Sequence, residues 1–199
     1  MYFDPMYFVF VIPALLLSLW ASFKTKSAFT KYSRVPTATG QTGADAAARL
    51  LASAGLNDVK ILRAQGMLTD HYNPINRTLN LSEGVYDSRS VAAVGVAAHE
   101  AGHAIQHAEH YKPLGLRSML VPTAKIGSSL GYMVMLFGLF MSSTNMVLVG
   151  AALFSAVLLF QVVTLPVEFD ASKRAKVLLV QHGIIAGPER EGVDRVLNA

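Results

Sequence analysis

From Ile126 to Val167 the chain carries no charged residue, and nothing else in the sequence limits the fold as strongly. A run of that length accommodates two membrane spans of roughly 20 residues each, joined by a tight polar turn. Ser142-Ser143-Thr144-Asn145 supplies the turn, which predicts spans over 126–141, with a start a few residues earlier allowed, and 146–165. A buried helical hairpin in a soluble protein is the competing fold, and the length of the uncharged run disfavours it. A second uncharged apolar run, 6–23, also has membrane-spanning length, with Tyr2, Tyr7 and Trp20 near its ends, where interfacial aromatics are expected. A cleaved signal would need a basic start and a small-residue cleavage site. Here Asp4 precedes the run and Lys24 and Lys26 follow it, so the run is expected to be an anchor. Composition agrees: 15% of residues are charged, against about 25% in soluble domains.

The placement of charge gives the orientation. All 17 Lys and Arg residues fall within 24–125 and 173–195. The positive-inside rule then puts both segments in the cytoplasm, with the N-terminus and the 142–145 turn outside. The net charge of +4 is mostly a product of this topology, with anionic lipid heads as a further partner. No basic cluster is interleaved with aromatics, so nucleic acid is not an expected partner. The chain contains no cysteine, which excludes disulfides and leaves histidine and carboxylate as metal ligands.

Between the first and second spans lies a soluble portion. Thr42-Gly43-Ala44-Asp45 has the form of a capping box and predicts a helix over 43–54, with Ala46, Ala47, Leu50, Leu51 and Ala54 on its apolar face. Val59–Leu62 and Arg77–Ser82 are expected as short strands, with a turn at Asn73-Pro74. Asp87–Ser90 offer caps for a long helix over 91–110.

That helix carries His99-Glu100-Ala101-Gly102-His103, an HExxH motif. Residues i and i+4 share a helical face, so both imidazoles can reach one Zn²⁺, while Glu100 is placed to act as general base on the attacking water. The small apolar residues before it, 91–98, predict a buried helix, and burial of three such polar groups without partners is rare. His107 lies eight residues beyond His99, about 12 Å of helical rise, too far for a shared zinc. His107 and His110 are therefore expected to be surface or structural. Glu168, in Leu165-Pro166-Val167-Glu168-Phe169-Asp170-Ala171-Ser172, is the better third ligand. Two spans separate it from His103, which returns both to one side of the membrane. A carboxylate directly beside the hydrocarbon also needs a partner.

HEAGHAIQH after an Ala/Val run, the DHYNP segment at 70–74 and LPVEFDAS at 165–172 resemble the YugP-like membrane zinc metallopeptidases of bacteria. The order of span, soluble insert, HExxH, two spans and Glu helix is similar over nearly the whole chain. The resemblance implies a neutral zinc endopeptidase of the gluzincin type, with His99, His103 and Glu168 as ligands and Glu100 catalytic. Asp170 and Asn73 depart from the family's more frequent Asn and Asp. Ser172 stands where related membrane gluzincins carry Asp, four residues after the ligand Glu. Members commonly continue into a further hydrophobic span, beyond where this sequence ends.

The expected protein is thus a mainly α membrane protein with three transmembrane helices and a small α+β zincin-like cytoplasmic portion built on the HExxH helix. Its expected divisions are an anchor at 1–23, a cytoplasmic portion at 24–125, a transmembrane hairpin at 126–167, and 168–199 carrying Glu168. Its expected activity is hydrolysis of peptide bonds in membrane or membrane-proximal proteins at the bacterial cell membrane. His71, Tyr72 and Arg174 are candidates for transition-state stabilisation, and the sequence does not choose among them. The strand 77–82 either binds substrate backbone as an edge strand or simply packs on the helix. Alternatives of other classes are a zinc-stabilised scaffold without activity and a subunit of a protease complex that includes a membrane protein partner. A closed structural site has no need of Glu100, which favours the enzyme.

Overall fold

The computed structural model describes residues 5–199, and the side chains of all of these except residues 5–8 and 10. The chain is mostly helical, with α1 (Pro5–Tyr32), α2 (Gly43–Ser53), α3 (Glu83–Tyr86), α4 (Val91–Ala108), α5 (Lys112–Phe140), α6 (Thr144–Gln181) and α7 (Gly187–Leu197). One small sheet is formed by β1 (Lys60–Ala64), β2 (His71–Asn73) and β3 (Thr78–Ser82). The described chain divides into two units, one of residues up to 104 together with 174–199, the other of 105–173.

In the first unit, α2 begins with the capping box expected from sequence: Asp45 N–H donates to Thr42 Oγ1 at 3.1 Å, and Thr42 N–H returns to Asp45 Oδ2 at 3.0 Å. These bonds hold the Asp45 carboxyl below the usual carboxylate range, the Thr42 backbone N–H being the largest cause. Ala46, Ala47, Leu50 and Leu51 are buried as expected, whereas Ala54 is exposed because the helix ends at Ser53 and Ala54 is its C-cap. Gly43 is required by packing, since a Cβ there would lie 2.2 Å from the Val85 carbonyl oxygen.

The sheet order is β1-β3-β2, with β1 parallel and β2 antiparallel to β3. This corrects the edge-strand expectation for 77–82. β3 is the central strand, with both edges paired, so no substrate can add to it. The expected turn at Asn73-Pro74 instead closes a hairpin whose first strand, β2, is too short to announce itself by alternation. β1 starts and ends later than expected, at Lys60 and Ala64.

Leu79 and Leu81 of β3 enter a core with Leu50, Val85, Val91, Val94 and the α4 alanines, joined by Ala175 and Leu179 of α6 and Val193 of α7. Ser90 caps α4 through its hydroxyl, 3.2 Å from Ala93 N. The helix stops two residues short of the expected 110. His110 adopts φ 52, Tyr111 N–H reaches the Gln106 carbonyl at 2.9 Å and His110 N–H the His107 carbonyl at 3.2 Å. That pair of bonds is a Schellman stop.

In the second unit, α5 and α6 are each long and apolar enough to cross a membrane. Both extend past the expected spans: α5 starts at Lys112, and α6 runs on through Pro166 to Gln181. Glycines set their closeness. A Cβ on Gly131 would lie 2.8 Å from the Gly150 carbonyl oxygen, and one on Gly127 would lie 2.6 Å from that of Leu153. Gly127 and Gly131 form a small-xxx-small pair, which lets backbones touch where no hydrophobic effect drives helices together. The outward faces are unburied, with Phe137, Phe140, Leu158 and Leu165 all exposed. Of the first expected span, Tyr2 and the side chain of Tyr7 lie outside the described residues. From Val11 to Trp20 every side chain of α1 is exposed.

Replacing Gly131 with Leu is expected to separate α5 from α6 and lower the midpoint of thermal unfolding in detergent; an unchanged midpoint would contradict the glycine contact. Thr42→Ala should cost about 1 kcal/mol of stability at neutral pH. Because the folded Asp45 pKa is depressed, the capping contribution is present above about pH 4 and is lost as pH falls through the folded value. Asp45→Asn and the parent chain should therefore converge in stability under acid, as read by denaturant titration.

Candidate metal centre and its surroundings

α4 is built to bury. Its small side chains let it pass through the core of the first unit, where Ala97, Ala98 and Ala101 are fully buried around His99 and Glu100. The His99 and His103 rings, one turn apart, meet edge to face with centroids 4.8 Å apart. His103 is buried and His99 half-buried. Glu100 is only 9% exposed, and its Oε2 accepts a hydrogen bond from Tyr72 N–H at 3.1 Å. A buried carboxylate oriented by a backbone amide is positioned, rather than free to sample solvent.

The donor of that bond belongs to β2, and the DHYNP segment explains how β2 is fixed. Asp70 accepts from Ser82 N–H at 2.7 Å and from the Ser82 hydroxyl at 3.0 Å, which ties the entry of β2 to the end of β3. His71 bonds the Thr69 carbonyl through Nδ1 at 2.8 Å and Asn80 Nδ2 through Nε2 at 3.3 Å. The Nδ1–H tautomer satisfies both. Asn73 accepts from Ile75 N–H at 3.0 Å, an Asx turn that starts the hairpin. Tyr72 is half-buried, and burial raises its phenol above the ordinary value, so it stays a protonated donor at neutral pH. His71 thus spends both ring nitrogens on the sheet.

In the second unit, Glu168 and Arg117 lie at matching heights on the hairpin. Each is about 35 Å along its helix from the 141–143 connection, and the guanidinium stands 3.6 Å from the Glu168 carboxylate. That height is just beyond an apolar thickness of about 30 Å. Gln106, on the last turns of α4, is fully buried. Its Nε2 donates to the Val167 carbonyl at 2.9 Å and to Asp170 Oδ2 at 2.8 Å, the residues on either side of Glu168-Phe169. Asp170 thereby acquires a role as acceptor for Gln106. Arg174, six residues beyond Glu168 on α6, is half-buried, as is His107.

Gln106, Arg117 and the anchoring role of Asp70 were not singled out from sequence. Gln106 could have been noticed as a buried-helix amide three residues after His103. Arg117 could have been noticed by counting back from the hairpin turn.

The profile of a family described as "Putative neutral zinc metallopeptidase" matches residues 7–199. The chain is 48% identical over 195 residues to the "Putative membrane protease YugP" of Bacillus subtilis (strain 168), covering 98% of this chain and 87% of that protein. No solved structure matches it. The chain belongs to this neutral zinc metallopeptidase family.

Proposed function

We propose that this protein is a membrane-bound endopeptidase in which His99, His103 and Glu168 hold one Zn²⁺ and Glu100 is the general base. The observation that carries the reading is the pairing of two adjacent imidazoles on a buried helix with a carboxylate, Glu100, that is buried and aimed by Tyr72 N–H. Two imidazoles and one carboxylate are the donor set of a catalytic, not a closed structural, zinc site. Support for Glu168 is threefold. It lies after an even number of expected crossings from His103. Gln106, one turn beyond His103 on α4, clasps the α6 turn that bears Glu168. The two imidazoles need a carboxylate to complete a catalytic donor set, and Glu168 offers one.

A zinc ion in this site supplies Lewis acidity that acidifies water and polarises the scissile carbonyl. Glu100 takes the proton from the attacking water and delivers it to the leaving amine. Tyr72 and Arg174 are the proposed donors to the developing oxyanion, since His71 is engaged on the sheet. Substrate backbone is proposed to run along the free edge of β2, in place of the edge first expected at β3.

The proposed setting is a bacterial cell membrane crossed three times, by α1 within 6–23 and by α5 and α6, with the active site in the cytoplasm. On this reading 1–23 is the anchor, 24–125 the cytoplasmic portion, 126–167 the hairpin and 168–199 the segment returning Glu168. What supports α1 as a span is its unbroken exposure of apolar side chains from Val11 to Trp20. What supports the orientation is the confinement of Lys and Arg to two segments.

Glu100→Gln should keep its zinc and lose peptide cleavage in detergent by about 10²–10⁴-fold; cleavage at the parent rate would remove Glu100 from its role. Metal content measured after purification should drop for Glu168→Ala and stay level for His107→Ala. The reverse pattern would assign the third ligand to His107.

A further inference from the structure

We propose that the stretch from Phe23 to Arg34, the last turns of α1 and the turn that follows it, is a binding site for the phosphate headgroup of an anionic phospholipid. A cleft of about 510 Å³ opens there, lined by Phe23, Lys26, Ser27, Thr30, Lys31 and Arg34. It therefore presents three cations, two hydroxyls and one aromatic ring, and no carboxylate. Phe23, Lys26 and Thr30 follow one another at helical spacing of three and four, so they share a face of α1, and Arg34 stands in the turn just after the helix.

The charges of this face are uncompensated. A solvated charged helix face normally interleaves acids and bases at i and i+4, but α1 contains no Asp or Glu. Among the described residues, the side chains of Lys26 and Arg34 make no ion pair or hydrogen bond. Lys31 lies over the Tyr32 ring at 5.2 Å. A neighbouring cleft of about 500 Å³ shares Phe23, Ser27 and Lys31, and adds Trp20, Lys24, Tyr32, Arg195 and one acidic side chain, Glu191, which stands 3.5 Å from Arg195. Lys24 sits over Trp20 at 5.3 Å and donates to the Asn198 carbonyl at 3.1 Å. The first cleft is thus cationic throughout, and the second, which shares Lys31 with it, holds three basic side chains against one acidic and adds the rings of Trp20 and Tyr32. Phosphate oxygens are the acceptors that ammonium, guanidinium and hydroxyl donors jointly fit.

Placement selects a lipid over a free anion, resting on α1 as the first membrane span. The exposed apolar side chains of α1 run up to Phe23, and α1 continues as a helix beyond it. Lys26 is then about 4.5 Å further along the axis, within a headgroup layer of roughly 5–7 Å on each side of the hydrocarbon. Acyl chains would lie along the apolar part of α1, while Lys31 and Arg34 approach the headgroup from the aqueous side.

The chain has a single tryptophan, Trp20, at the edge of this surface, and it supplies the measurement. The full-length chain is reconstituted in phosphatidylcholine vesicles containing a minor share of phosphatidylglycerol. Quenching of Trp20 by brominated phosphatidylglycerol is then compared with quenching by the same fraction of brominated phosphatidylcholine. Preferential quenching by the anionic lipid is expected, with the preference falling roughly fivefold for each cation removed. Lys26→Gln/Arg34→Gln should abolish the preference, whereas Lys112→Gln/Lys125→Gln, which removes equal charge elsewhere, should preserve it. Helical circular dichroism and zinc content serve to show that both variants are folded. Equal quenching by the two lipids, or equal loss in the two double variants, would overturn the site. Displacement of the brominated lipid by millimolar inorganic phosphate would overturn the lipid as its occupant. A Trp20 quenched by neither lipid would overturn the inference by removing α1 from the bilayer, a failure that leaves the zinc and cleavage results above untouched.

Discussion

A buried amide holds the end of α4 against the turn of α6 that carries Glu168. Gln106 has no contact with water, and its Nε2 is committed to the Val167 carbonyl and the Asp170 carboxylate. Leaving such a donor unsatisfied costs about 1–3 kcal/mol, so the end of α4 and the turn of α6 around Glu168 are locked in one arrangement. Apolar packing alone would not fix this. Slippage of one helix along another changes buried area little, whereas a double hydrogen bond tolerates a displacement of only a few tenths of an ångström. The register between the two helices is therefore specified by polar groups.

The same division of labour recurs along the chain. Glycine seams in α5 and α6 set how near the helices come, and the matched heights of Arg117 and Glu168 mark where the apolar hairpin ends. In the first unit, alanines make α4 thin enough to be buried, and hydrogen bonds accepted by Asp70, His71 and Asn73 fix the short strand that orients Glu100. Apolar residues decide what is inside, and a few amides and carboxylates decide the alignment.

How much of this was legible in the sequence follows from that division. The HExxH spacing, the capping box at Thr42 and Asp45 and the uncharged stretch after Ile126 are local patterns, because their geometry is contained within one turn or one run of residues. The α2 and α4 helices accordingly begin where expected. What stayed hidden was non-local. β2 has three residues and no period, and it exists because β3 and Asp70 recruit it. The central place of β3 depends on a parallel partner, β1, about 18 residues earlier in register. Gln106 and Arg117 look like ordinary polar residues until the helices opposite them are placed. The ends of α5 and α6 misled for another reason: charge marks where hydrocarbon stops, not where a helix does.

α6 passes from Thr144 to Gln181 without a break, and this has a consequence for biosynthesis. The ribosome releases His99 and His103 well before α5 and α6, and Glu168 only after them. On the proposed ligand set, a nascent chain still outside the bilayer owns two ligands and lacks the third. Zinc capture would then wait upon insertion of the hairpin, and a newly made molecule would be harmless to cytoplasmic proteins until it had reached its membrane.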